Sequence, residues 1–307
     1  MAAGIAVLCA AALPALAEEA RMTGRFPAQY RDAAMLGSLS IERFDGRDGP
    51  ALGFAIERAL SQPDARGTVH FDLRGSSRRT GGRADGMLSG LVSSGVEDSR
   101  WKRTDKQCVE RAKGKCVKEE QKQVDCTRRV VNLTADLRIV RSGDGRIVYS
   151  VSKPQRDERS WCQGAGERAP STVEETIAGM IGTIAGQVRQ EIAPRWERYE
   201  IRFRESTKGL SKDLAKRFRT SMKQSERNPA GACAEWAAID AASPDNPSIL
   251  FDLGLCAETA GDYQRALGYY RRASPLLGRN NEADRGIDRI GQIRAALADD
   301  AARGRQQ

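Results

Sequence analysis

Apolar positions along this chain change their period twice. Val131, Leu133, Ala135, Leu137 and Ile139 alternate with Asn132, Thr134, Asp136 and Arg138, the period of a strand with one buried face. Gly143-Asp144-Gly145 supplies turn residues, and Ile147, Tyr149 and Val151 carry the alternation onto a return strand. Further on the period lengthens. Val173, Ile177, Ile181, Ile184, Val188 and Ile192 line one face of a helix predicted over 172–198. Ser171 or Thr172 can cap it, and Glu174 and Glu175 suit its first turn. Gly182 and Gly186 stand four residues apart, a spacing that predicts close packing of this helix on the sheet.

Before the hairpin the pattern is weaker. Residues 18–34 read as a polar lead-in. Ala34 to Ile41 predicts a short strand, Phe44 to Gly49 a loop, and Leu52, Ile56, Ala59 and Leu60 one face of a helix. Thr68 to Leu73 predicts a second strand. Residues 74–95, rich in Gly, Ser and Arg, predict a mobile loop around a short helix near Met87–Val92. From Lys208 onward everything is helical in character. Leu210, Leu214 and Phe218 mark one helix, ended by Asn228-Pro229, and Ala232 to Ile239 mark the next, stopped by Ser243-Pro244. Ile249–Thr259, Tyr263–Ala273 and Asp284–Leu297 complete the array. The fold class expected is α+β. An α/β sandwich with antiparallel hairpins and a long helix spans 34–204, and an all-α array follows over 208–300.

Composition adds a compartment. Ile5 to Leu16 form an apolar run, and Ala15-Leu16-Ala17 precedes Glu18-Glu19, which predicts a secretory signal peptide over 1–17, cleaved after Ala17. Its positively charged leading region is missing, so the start is expected upstream of Met1. Cys9 belongs to that run. Six cysteines remain: Cys108, Cys116, Cys126, Cys162, Cys233 and Cys256. An even number in an exported chain predicts disulfides. The first four allow three connectivities. Partners in a hairpin folded about residue 144 have numbers summing to about 288, which favours Cys126 with Cys162 and leaves Cys108 and Cys116 flanking a turn near Ala112-Lys113-Gly114. No other stretch has the length of apolar sequence that a membrane helix needs, so a soluble periplasmic or secreted protein without a transmembrane segment is expected.

Two resemblances follow. Leu250, Leu253 and Gly254, then Ala266, Tyr270 and Ala273, resemble the packing positions of a tetratricopeptide repeat. Trp236, Ile239 and Pro244 lie one repeat length, about 34 residues, earlier. The resemblance implies a degenerate preceding repeat, a capping helix over 284–297, and a groove that binds proteins. It also implies that Cys233 and Cys256 sit on neighbouring antiparallel helices and can bridge. More distantly, the opening strand, Phe44-Asp45-Gly46 with Asp48-Gly49, the Leu52–Leu60 helix and the late hairpin with its long helix resemble a cell-envelope domain. That domain is shared by curli-secretion (CsgG-type) lipoproteins, penicillin-binding-protein activators (LpoB-type) and the amino-terminal part of TolB. It implies protein contact in the envelope, and the anchoring cysteine of the secretion channel is absent.

The candidate chemistry is sparse. His70, the single histidine, has no Gly-x-Ser-x-Gly partner motif and reads as a hydrogen-bonded strand residue. No closely spaced cysteine pair suggests a metal or redox site, and no phosphate-binding glycine motif suggests a nucleotide. Asp45, Asp48, Asp85 and Glu97 are scattered carboxylates that could in principle serve a hydrolase. The net charge is +9 with a pI near 9.3, and the basic stretches 74–83 and 100–122 suit an anion. The latter has little aromatic interleaving, which speaks against nucleic acid. The expected function is therefore a non-enzymatic, cofactor-free envelope scaffold or adaptor whose partners are other envelope proteins. The alternative is a module binding an anionic glycan or lipid through those basic stretches.

Overall fold

The computed structural model describes residues 18–74, 83–163 and 170–304. The expected signal peptide, residues 1–17, and most of the 74–83 stretch lie outside the described residues. The chain divides into two units: Pro27–Arg195 with Ala298–Gln307, and Met1–Phe26 with Trp196–Leu297. The elements run β1 (Glu19–Phe26), α1 (Arg31–Ala34), β2 (Ser38–Ile41), α2 (Gly49–Leu60), β3 (Asp72–Arg74), β4 (Gly86–Ala112), β5 (Lys115–Arg141), β6 (Ile147–Cys162), α3 (Val173–Ile192) and β7 (Arg195–Arg202). Five helices follow: α4 (Lys212–Met222), α5 (Pro229–Ala242), α6 (Pro247–Thr259), α7 (Tyr263–Leu277) and α8 (Glu282–Gly304). The class is α+β, with the strands mostly in the N-terminal part and a helical C-terminal region.

In the first unit a five-stranded sheet has the order β3-β2-β4-β5-β6. Strand β2 runs parallel to β3 and β4, and β4-β5-β6 form an antiparallel meander. The period-two residues Leu133, Leu137 and Ile139 are buried to 2% exposure or less. They pack with Leu52, Ile56 and Leu60 of α2 and Ile181, Ile184, Val188 and Ile192 of α3. Thr172 caps α3 in a full capping box with Glu175. Each fully buried aliphatic contributes about 1.5–3 kcal/mol from apolar area alone. Gly46 is required where it stands: φ is +90° and a Cβ would lie 1.9 Å from the Val92 carbonyl oxygen. Its neighbour Asp45 bridges Leu91 and so ties the Phe44–Gly49 loop to β4.

Several local expectations fail, each for a tertiary reason. The polar lead-in holds β1, whose inward residues Ala20, Met22 and Phe26 are buried. The helix expected near Met87–Val92 is the start of β4, paired with both β2 and β5. The long helix ends at Ile192, and Ala193-Pro194 passes the chain into β7 instead of continuing to residue 198. Gly182 and Gly186 of α3 do not mark a close approach, since a Cβ at either would meet nothing within 4 Å. The predicted strand at 68–73 shortens to β3.

The second unit pairs β1 with β7 in a two-stranded ribbon, with α6 packed on β1, and also holds α4, α5, α7 and the first part of α8. Asn228, Asn246 and Asp262 cap α5, α6 and α7 through their side chains, which sharpens the helix starts. Trp236, Phe218, Ile239, Ile249 and Leu253 form one part of the interior. Phe251, Leu255, Ala266, Tyr270, Ala273 and Ile290 form the other.

Candidate functional site

Helix α6 is buried almost all round: Ile249, Leu250, Phe251, Leu253 and Leu255 are each exposed by 4% or less, and Ser248, Asp252 and Glu258 are buried as well. Its packing with α7 depends on one small residue. A Cβ on Gly254 would fall 2.3 Å from Cε1 of Tyr270, so only glycine lets that ring lie flat on the helix. Gly286 of α8 meets the other edge of the same ring. Leu250, Leu253, Gly254, Ala266, Tyr270 and Ala273, the six expected packing positions, are all buried.

Beside this core the α5, α6 and α7 segment and the start of β1 enclose a groove of about 1110 Å³. Its floor is apolar, with Ala237, Leu253 and Ala257 among the residues that line it. The Cys233–Cys256 disulfide crosses that floor and joins α5 to α6, with Cα atoms 6.0 Å apart. Charged residues of both signs stand at the rim, including Arg21, Glu226, Asp262 and Arg265, together with Tyr269. Arg265 lies over the Tyr269 ring, 5.8 Å from its centroid. An apolar floor with a sparse polar rim is the general make-up of a binding cleft.

Behind the groove lies a polar cluster that the sequence did not reveal. Glu258, fully buried, accepts from Nε and Nη2 of Arg289 at 2.6 and 2.7 Å, from the Tyr270 hydroxyl at 2.6 Å and from the Tyr199 hydroxyl at 2.9 Å. Burial, with Glu258 beside it, pushes both phenols above their ordinary range. Burial is the strongest single influence on Arg289 and works against its charge, but the hydrogen bonds to Glu258 and the electrostatic attraction of Glu258, Tyr270 and Tyr199 together outweigh it and raise the guanidinium. One acceptor therefore satisfies donors from α7, α8 and β7. The hint in the sequence was two acids, Asp252 and Glu258, on a mostly apolar helix. Nearby Asp252 takes the Arg204 backbone N–H at 2.8 Å, while its second oxygen has no partner among the described residues. Burial pushes its carboxyl well above the usual carboxylate range, against the pull of Arg204.

The remaining candidates have structural surroundings. The structure contains Cys108–Cys116, Cys126–Cys162 and Cys233–Cys256 disulfides. Cys126 and Cys162 face each other in register across β5 and β6. His70 lies in a bend just before β3, not on a strand. Its Nδ1 is 3.0 Å from Arg303 and its Nε2 is 2.9 Å from the Ala34 carbonyl. Arginine can only donate, so Nδ1 accepts and Nε2 donates. The scattered carboxylates do not converge. Asp45 bridges Leu91, Asp48 accepts from Ser94, Asp85 accepts from Gly37 and Ser38, and Glu97 is exposed on β4. Among the described residues no group of three His, Cys, Asp or Glu side chains is placed to hold a metal ion. Nor is any helix long and apolar enough to cross a membrane. The three disulfides fit an oxidising compartment. The 100–122 stretch forms the far end of the β4–β5 hairpin.

No family model matches the chain, and no curated protein does. Solved structures that align with part of it include the PelC dodecamer from Paraburkholderia phytofirmans, at 15% identity over 55% of this chain and 96% of that one, with a TM-score of 0.24. A point variant of that dodecamer aligns at 13% identity over 57% and 96%, with a TM-score of 0.25. A minor lipoprotein from Acinetobacter baumannii aligns at 15% identity over 51% and 92%, also with a TM-score of 0.25. Scores this low carry no argument about this chain.

Proposed function

We propose that this is an exported, non-enzymatic envelope protein whose helical region acts as a tetratricopeptide-type adaptor, its groove holding a short segment of another envelope protein. The observation that carries the reading is the groove itself, apolar at the floor, charged at the rim and braced by Cys233–Cys256. Arrays of fewer than three repeats need extra support, and the disulfide and the Glu258–Arg289 cluster supply it here. The sheet-containing unit, on this reading, is the CsgG/TolB-type domain and offers a second docking surface. Export with cleavage after Ala17 belongs to the same proposal.

The test is in-cell crosslinking from a photoreactive residue placed at Ala237 or Ala260 in the groove. One dominant envelope protein as adduct is the expected result, with loss of the adduct in Arg265→Glu. Absence of any protein adduct above background would overturn the adaptor reading. Sequencing of the exported protein should begin at Glu18, and an uncleaved start would remove the signal-peptide part.

A further inference from the structure

Strands β4 and β5 are each 27 residues long, but their neighbours are not. Strand β6 ends where Cys162 pairs with Cys126, opposite Trp101. From there to the turn the hairpin is a bare two-stranded ribbon of roughly 40 Å, and every residue from 109 to 120 is exposed. A ribbon with no core is marginal by itself. Cys108–Cys116 closes it near the tip, fixing the shape of a segment that supports nothing inside its own unit.

Three details of that tip point outward. The apex is Lys113-Gly114, with φ of 50° and 77°. Two left-handed residues make the turn that ordinarily selects Asn-Gly or Asp-Gly, yet the strained first position carries a lysine. Between Lys106 and Lys118 there are five cations and one acid, Glu110. Lys106 and Lys118 pair with Glu119 and Glu120, whereas Arg111, Lys113 and Lys115 have no ion-pair partner among the described residues. Finally, the pairing register slips on both sides of Glu110, leaving out Val109 on one strand and Val117 on the other. Bulges re-aim side chains, and these two valines are 51% and 57% exposed.

We propose that the ribbon tip docks on an anionic phospholipid surface, with Arg111, Lys113 and Lys115 against the headgroup phosphates and Val109 and Val117 in the headgroup–acyl boundary. Charge complementarity selects an anionic partner. The two exposed valines select lipid over an acidic glycan, because a hydrated polysaccharide offers no apolar phase for them, while the bilayer boundary does. This inference is independent of the groove and of its occupant.

The experiment is sedimentation of the disulfide-intact, full-length protein with phosphatidylcholine vesicles, with and without phosphatidylglycerol. Binding is expected only with phosphatidylglycerol, and it should weaken as salt is raised. The variant R111Q/K113N/K115Q should bind about 100-fold more weakly, at about fivefold per cation removed. Lys113→Asn improves the turn sequence, so that loss would not arise from misfolding. V109T/V117T keeps strand propensity and should lose several-fold more. Equal binding to both vesicle types, or unchanged binding of the triple variant, would overturn the proposal. So would full competition by soluble dextran sulfate with V109T/V117T behaving as wild type, which would assign the tip to a glycan.

Discussion

The interiors of the two units handle charge in opposite ways. In the sheet unit the buried face is mostly apolar, and the ion pair of Lys153 with Glu191, at 2.6 Å, sits at its margin with Glu191 still 20% exposed. The Tyr149 hydroxyl also donates to that carboxylate. In the helical unit Glu258 is fully buried and Asp252 is enclosed as well. The difference comes from geometry. A strand sends alternate side chains to opposite faces, so its polar residues have an outward side. Helix α6 is covered on nearly all sides, so a polar residue on it has no outward side and must find its partners inside, as Glu258 does fully and Asp252 through one oxygen.

Replacing one partner in each pair breaks this comparison most strongly. Arg289→Met strands Glu258 in the interior and should cost about 3–5 kcal/mol by denaturant unfolding. Tyr270→Ala, which opens the α6–α7 contact and removes another donor to Glu258, should also cost about 3–5 kcal/mol; near-unchanged stability would show that the Gly254–Tyr270 packing contributes little. Lys153→Met should cost only about 1–2 kcal/mol, since Glu191 keeps Tyr149 and reaches water. Equal losses for Arg289→Met and Lys153→Met would remove the distinction between the units.

The disulfides extend the contrast to the ribbon. Cys126→Ser should destabilise the sheet unit by about 2–4 kcal/mol under oxidising conditions, because that bridge lies in a small buried cluster with Val124. Cys108→Ser should change global unfolding by less than about 0.5 kcal/mol, as it touches no core. A similar shift from both would mean that the ribbon folds cooperatively with the sheet.

A further difference is electrostatic. Unfolded, Asp252 gives up its proton near pH 4, whereas the folded carboxyl holds it to a higher pH because it is buried. Between those two values the unfolded state binds fewer protons, so the stability from this site falls as pH rises above about 4. Asp252→Asn should therefore stabilise the helical unit at neutral pH, with the advantage vanishing below about pH 4. A pH-independent difference in melting would show that the carboxyl is ionised in the fold.

Local pattern was enough for much of this chain. The alternation from Val131 to Val151 implied a hairpin with one buried face, since side-chain parity excludes a one-residue slip, and the turn near residue 144 favoured the register found, with Leu137 opposite Val151 and Cys126 opposite Cys162. The helices after Lys208 were legible from apolar spacing and from Asn-Pro and Ser-Pro stops. Two kinds of feature were not. Strand β1, the start of β4 and the strand after Pro194 owe their conformation to partners distant in sequence, and a short segment carries no record of what will pair with it. The groove and the Glu258 cluster draw on β1, β7 and helices α5 to α8, elements separated by up to about 250 residues of chain. Charges brought that close act through burial and distance, and only the folded chain sets either.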